Sequence, residues 1–231
     1  MLRFDAVRIE QGDFRMDADL SIDAGARVAV IGPSGAGKST LLNALAGFLE
    51  LSSGRLSWDG TDITDAPPAR RPVAMLFQDN NLFPHLSVAQ NVGLGLRPDL
   101  RLSPEDRARV AQALGRVGLD GMGERRPANL SGGQQGRAAL ARVLVQRKPI
   151  VLLDEPFAAL GPALKTEMLD LVAELVAETG ATLLMVSHDP DDARRICPLT
   201  VLVDDGCAAP PVATAPLLDN PPPGLRAYLG N

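Results

Sequence analysis

With 231 residues and a mass of 24.4 kDa, the chain can form one large domain or two small ones. Its apolar and charged fractions, 45% and 22%, are those of an ordinary globular protein. A formal charge of −5 and 3% aromatic residues exclude a broad electrostatic hold on nucleic acid and a stacking platform for single-stranded bases. No apolar run approaches the ~20 residues a membrane span needs, and MLRFDAVRIEQGD at the start lacks the apolar stretch of a signal peptide. Cys197 and Cys207 have neither disulfide-framework nor metal-ligand spacing, so free thiols in a cytoplasmic chain are expected.

The elements follow an α/β order with one interruption. Residues 2–9 and Phe14–Ile22 alternate apolar and polar around Gln11-Gly12-Asp13, which predicts a hairpin of half-buried strands. Arg27–Ile31 (RVAVI) is a β-branched run ending in glycine, the pattern of a buried parallel strand. From Ser39 the period lengthens, and Leu41, Leu42, Leu45, Phe48 and Leu49 fall on one helical face. Further buried strands are expected at residues 73–77, 150–153, 182–186 and 200–203. Pro162 suits the first turn of a helix burying Leu164, Met168, Leu171, Leu175 and Val176. Asp189-Pro190 opens another helix, with Asp191 and Asp192 where the macrodipole favours acids. Strands alternating with helices predict a mainly parallel sheet covered on both faces. The glycine- and proline-punctuated stretch from about 80 to 130 reads as a helical insertion. Past Gly206, residues 207–231 carry so many prolines that a loosely ordered tail is expected, too proline-rich for a sheet and taking no part in nucleotide chemistry.

Residues 32–40 read GPSGAGKST: Gly32, Pro33, Ser34, Gly35, Ala36, Gly37, Lys38, Ser39 and Thr40. The pattern G-x-x-x-x-G-K-[ST], between a buried strand and an amphipathic helix, is a phosphate loop. Its glycines let successive backbone N–H groups turn inward as an anion nest, and the helix start adds its positive end. Lys38 supplies a mobile charge to the β- and γ-phosphates, and the Ser39 hydroxyl can ligate Mg²⁺. Residues 150–155 read IVLLDE, so Asp154 stands at the carboxyl end of a buried strand, placed to hold Mg²⁺. Glu155 follows, placed to accept a proton from an attacking water. At residues 130–134, LSGGQ precedes a second helix. Ser131 and Gln134 form a capping box, and Ser131, Gly132, Gly133 and Gln134 also make a second anion-binding helix start.

GPSGAGKST, Gln78, LSGGQ, IVLLDE and His188 after TLLMVS stand in the order of an ABC-type ATPase, which the chain resembles from residue 1 to about 206. Residues 70–98 (RRPVAMLFQDNNLFPHLSVAQNVGLGLRP) resemble the ATP-binding subunits of bacterial thiamine importers. The resemblance implies a P-loop NTPase fold with an N-terminal antiparallel hairpin subdomain and an inserted helical subdomain. It implies ATP and Mg²⁺ as ligands, with Gln78 sensing Mg²⁺ and water and His188 touching the γ-phosphate. Ser131 and Gly133 would contact the γ-phosphate held by a second copy in an ATP-sandwich homodimer. The implied partners are a membrane permease and, through it, a periplasmic binding protein. The place would be the cytoplasmic face of the inner membrane, with Gln78 and residues 80–86 near the permease contact.

Three positions depart from the family pattern. Gln11 stands where an adenine-stacking aromatic is usual, with Phe14 the nearest ring. Residues 158–161 read Ala-Ala-Leu-Gly, so the family's aspartate is Gly161, and Gly136 replaces a longer polar residue. None is a phosphate or metal ligand. Alternatives stay open at this stage. They are an importer of another small solute (oxyanion, polyamine or metal) and, less favoured, a non-transport ABC ATPase. DNA-repair relatives separate the two motif halves with a long coiled coil or zinc modules, for which the stretch from Thr40 to Leu130 is too short and lacks cysteine.

Overall fold

The computed structural model describes residues 1–78, 81–158 and 160–229. The hairpin forms first: β1 (Leu2–Gln11) pairs antiparallel with β2 (Phe14–Ile22), its register shifting between Phe4 and Val7 where Ala6 takes a positive φ. Then β3 (Arg27–Ile31) leads into α1 (Lys38–Ala46). Two strands the sequence pattern does not suggest follow, β4 (Ser53–Trp58) and β5 (Thr61–Asp62). They extend the antiparallel side, β4 pairing with β1. After β6 (Val73–Leu76) the chain leaves the sheet for α2 (Val88–Gly93), α3 (Pro104–Arg116) and α4 (Gly132–Leu144). It returns through β7 (Ile150–Asp154), α5 (Pro162–Thr179), β8 (Thr182–Val186), α6 (Pro190–Ile196) and β9 (Leu199–Asp204).

Among the described residues the strands form one sheet, ordered β5-β4-β1-β2, then a two-residue strand at Cys207–Ala208, then β9-β3-β8-β7-β6, with Val212–Ala213 pairing on β9 off this path. The run from β9 to β6 is parallel, so the carboxyl ends of β3, β7, β8 and β6 open on one side, where ligands bind in such sheets. Two apolar clusters cover it. One surrounds α1 between the hairpin and the parallel strands, with Phe4, Met16, Leu42 and Leu152 fully buried. The other packs α4, α5, α6 and the helical excursion on the opposite face. Arg71, 2% exposed, ties the end of α1 to the segment between β5 and β6 by donating to the carbonyls of Leu45 (3.2 Å), Thr64 (2.7 Å) and Ala66 (2.8 Å).

Three expectations are corrected. Phe48 does not join the buried face of α1: the helix stops at Gly47 in a left-handed cap, and Phe48, 52% exposed, packs its ring at 5.7 Å from Phe77. On α5 the buried face is Met168, Leu169, Val172, Leu175 and Val176, so Leu164 and Leu171 lie at its rim. The tail forms strands and helices between Cys207 and Leu229. Strand β10 (Cys207–Ala208) bridges β9 and β2, and β11 (Val212–Ala213) pairs with β9. Helices α7 (Thr214–Asp219) and α8 (Pro223–Leu229) follow, burying Leu218 and Leu225. The prolines permit this by their positions. Pro210 and Pro211 lie between the two short strands, Pro216 falls in the first turn of α7, and Pro223 opens α8, places where no N–H is required.

Candidate active site

The loop of residues 32–37 joins β3 to α1, and each of its glycines answers a local demand. A Cβ on Gly32 would lie 1.8 Å from the Val203 carbonyl oxygen, so β9 approaches this closely because the side chain is hydrogen. Gly35 (φ 78°) and Gly37 (φ 106°) are left-handed, and Gly37 caps α1. Lys38 at the helix start is 5% exposed and donates to the carbonyls of Gly32 and Pro33, both at 2.8 Å. Burial pulls its pKa below the usual lysine value, against the opposing charges of Glu155 and Asp154. Beneath the loop lies Phe14, whose Cζ would meet a Gly37 Cβ at 2.7 Å. With Arg15, residues 33–36 and residues 204–206 it lines a shallow groove, while Gln11 is exposed at the end of β1.

Four buried residues of β7 present Asp154 at the strand's carboxyl end, where its Oδ1 accepts a 3.0 Å hydrogen bond from Ser39 Oγ. Burial raises the Asp154 carboxyl above the usual range, aided by Glu155 and opposed by Ser39 and Lys38. Glu155 has φ 47°, a left-handed conformation that costs a residue with a side chain about 1–2 kcal/mol. Its N–H donates to the Val186 carbonyl (3.1 Å), which fixes the turn. The carboxylate, 15% exposed, puts Oε1 2.5 Å from Nε2 of His188, which follows β8. Glu155 and His188 line one cleft of about 370 Å³.

Side chains that the sequence pattern does not single out as site residues support that loop. Ser187 Oγ donates to Asp192 (2.5 Å), and Lys165 of α5 reaches Asp189 (2.7 Å) and Asp192 (2.8 Å). Burial lowers the Lys165 pKa, but the two carboxylates outweigh it and the net shift is upward. Asp192 showed in sequence only as an acid near a helix start. Ser187 and Lys165 carry no local signal at all.

Ser39, Lys38, Asp154, Glu155 and His188 are thus brought together from three strand ends. Gln78 stands exposed just past β6, whose end is level with that of β7, and makes no hydrogen bond to them. Ser131 and Gln134 cap α4 reciprocally (3.0 and 3.3 Å), and their side-chain bonds close on each other rather than on the phosphate loop. Gly133 admits Leu164, whose Cδ2 would be 2.3 Å from a Cβ there. Residues 79, 80 and 159, within two segments singled out by sequence, lie outside the described residues.

Chemically, a glycine nest at a helix start with a buried ammonium suits a polyphosphate. The adjacent Ser39 and Asp154 oxygens are hard donors, few in number, which would suit a magnesium ion that keeps several waters. A carboxylate held beside an imidazole suits activation of a water.

The ABC transporter family matches residues 16–158. The thiamine import ATP-binding proteins ThiQ of Ruegeria sp. (strain TM1040) and Cereibacter sphaeroides are 63% and 62% identical over 230 residues, covering 100% of both chains in each case. That of Jannaschia sp. (strain CCS1) is 52% identical over 99% of this chain and 100% of its own. Among solved structures, the ATP-binding cassette MJ0796, dimeric and bound to ADP and Pi after hydrolysis, superposes with a TM-score of 0.80 at 30% identity. The match covers 93% of this chain and 99% of that one.

Proposed function

The chain belongs to the ABC transporter family, whose ATP-binding subunits bind and hydrolyse ATP, and on that premise we propose that it powers bacterial import of thiamine or thiamine phosphates. The observation that carries this reading is the full-length identity to three thiamine import ATP-binding proteins, at 52–63%, in a chain whose phosphate loop, Asp154, Glu155 and His188 converge. Solute specificity itself comes from the subunits the solute touches, and no side chain of the nucleotide site selects it.

In the proposed mechanism the backbone of residues 32–37 and Lys38 hold the β- and γ-phosphates of ATP. Ser39 and Asp154, with Gln78, hold Mg²⁺, which when bound neutralises charge on the phosphate oxygens. Glu155, fixed in its left-handed turn, takes the proton from the attacking water as the water's oxygen bonds to the γ-phosphorus and ADP departs. His188 touches the γ-phosphate and orients the attack. Residues 131–134 of a second copy close over the same nucleotide, which accounts for a second glycine-rich helix start in a chain with one phosphate loop. The unit spanning residues 1–206 docks a membrane permease through its insertion at about 80–130, which places it on the cytoplasmic face of the inner membrane. Among the described residues no helix is long and apolar enough to cross a membrane.

Uptake of labelled thiamine by a strain deleted for this chain tests the reading. Return of uptake with the parental chain, and none with Lys38→Ala, is expected. Undiminished thiamine uptake in the deletion strain, alongside loss of another solute, would move the assignment to that solute.

A further inference from the structure

The tail that the sequence reads as remote from the chemistry ends against His188. The Tyr228 hydroxyl of α8 lies 3.1 Å from His188 Nδ1 and 3.1 Å from the His188 carbonyl oxygen, while Nε2 of the same ring faces Glu155 at 2.5 Å. We propose that Tyr228 is a positioning residue for ATP hydrolysis, holding the His188 ring by its far nitrogen so that Nε2 stays aimed at Glu155 and at the γ-phosphate it contacts once ATP is bound. The proposal rests on the role given to His188 above.

The His188 side chain is 46% exposed, so packing alone leaves its ring free to turn. Its loop is anchored from below by Ser187, Asp189, Asp192 and Lys165, but none of these hydrogen-bonds the imidazole. Among the described residues the two groups that bond the ring are Glu155 and Tyr228. A phenol has one proton and accepting lone pairs. It can donate to Nδ1 of a neutral ring, or accept from Nδ1–H of an imidazolium while donating to the His188 carbonyl. In both arrangements the proton on Nε2 points at Glu155, as that short contact requires. Burial, with the charges of Glu155 and Asp189, raises the Tyr228 pKa, so the hydroxyl keeps its proton.

The rest of the tail is built as a clasp around α6, the helix that starts just after His188. At the far end of α6, Thr214 donates to the Cys197 carbonyl (2.6 Å) and pairs with Thr200 (2.9 Å). Along its side Arg194 meets Asp219 of α7 at 2.6 Å. Leu225, 0% exposed, seats α8 in the core, and Tyr228 packs against the same cluster. The hydroxyl is therefore presented from a fixed helix.

The test compares the full chain with Tyr228→Phe and His188→Ala, in steady-state ATPase, thermal melting and ¹⁵N spectra of labelled histidine. Only His85 and His188 are present, so two rings are observed. Phenylalanine keeps the packing and deletes the hydroxyl. The expected result is a fall in kcat of about 3- to 10-fold, the size of one lost hydrogen bond, with KM for ATP unchanged and Tm lower by no more than about 5 °C. The His188 nitrogen resonances should move while those of His85 stay. Parental kcat in Tyr228→Phe, a loss confined to KM or Tm, or unmoved His188 resonances would overturn the proposal. A parental rate in His188→Ala would instead overturn the role of His188 on which it rests.

Discussion

Gly161→Asp restores the carboxylate that this chain lacks, and the structure sets the size of its effect on stability. Gly161 is the N-cap of the 18-residue α5, with φ −65° and ψ 157°, ordinary extended backbone. It has no side-chain cap, the first turn holds no acid, and a Cβ would meet nothing within 4 Å. An aspartate is thus free of strain and places an oxygen on the orphan N–H groups of α5. The cap over glycine adds a few tenths of a kcal/mol and the macrodipole about 0.3–1. Lower unfolded-chain entropy adds about 0.4–1. The sum is about 1–2 kcal/mol, or a Tm rise of about 2–8 °C for a chain of this length. The second carboxylate oxygen remains to accept a bond across the proposed dimer, so a higher Hill coefficient for ATP, or a higher basal rate, is expected as well. Thermal melts and steady-state ATPase of both forms, alone and with the permease, measure the two effects separately. A lower Tm would refute the capping argument. Identical kinetics with a raised Tm would show that the missing carboxylate is neutral for coupling between the two sites.

Gly32→Ala sets a Cβ 1.8 Å from the Val203 backbone carbonyl oxygen, with no rotamer to relieve it, and should cost about 3 kcal/mol; a folded variant with parental Tm would contradict the close approach of β9. Burial pushes the Cys197 thiol up to about 12, whereas Cys207 is exposed, so a maleimide at neutral pH should label one thiol per native chain and two in denaturant. The Asp189 carboxyl is held below its ordinary 3.8, first by the hydrogen bond from Lys165, so its contribution to stability is present above that value and is lost as pH falls through the lowered one. Lys165→Met removes the cause, and its urea midpoint should therefore fall less between pH 6 and pH 3.5 than that of the parent.

What local pattern could show, it showed. The β-branched runs at 27–31, 150–153 and 182–186 needed only burial on both sheet faces, and the phosphate loop needed only glycine spacing. β4 escaped because its alternation is weak: among SGRLSW the one buried residue is Leu56. Phe48 misled because helical period says nothing of the Gly47 cap that ends the helix one residue earlier. The tail misled because proline content was weighed without proline position. Tyr228 stands 40 residues from His188, Lys165 stands 24 from Asp189, and contacts of that range leave no periodic trace. Each lies beside residues that the motifs single out, at a sequence distance that no motif spans.

The central claim is that Glu155 activates the water and Lys38 anchors the phosphates. It is met most directly by measuring ATP binding, turnover and assembly state in Glu155→Gln beside Lys38→Ala. Glutamine keeps the shape and loses the base, so Glu155→Gln should bind ATP as the parent does, lose about 10²–10⁴-fold in rate and accumulate as a nucleotide-bound dimer. Lys38→Ala should lose binding itself. Hydrolysis by Glu155→Gln at the parental rate would contradict the assignment.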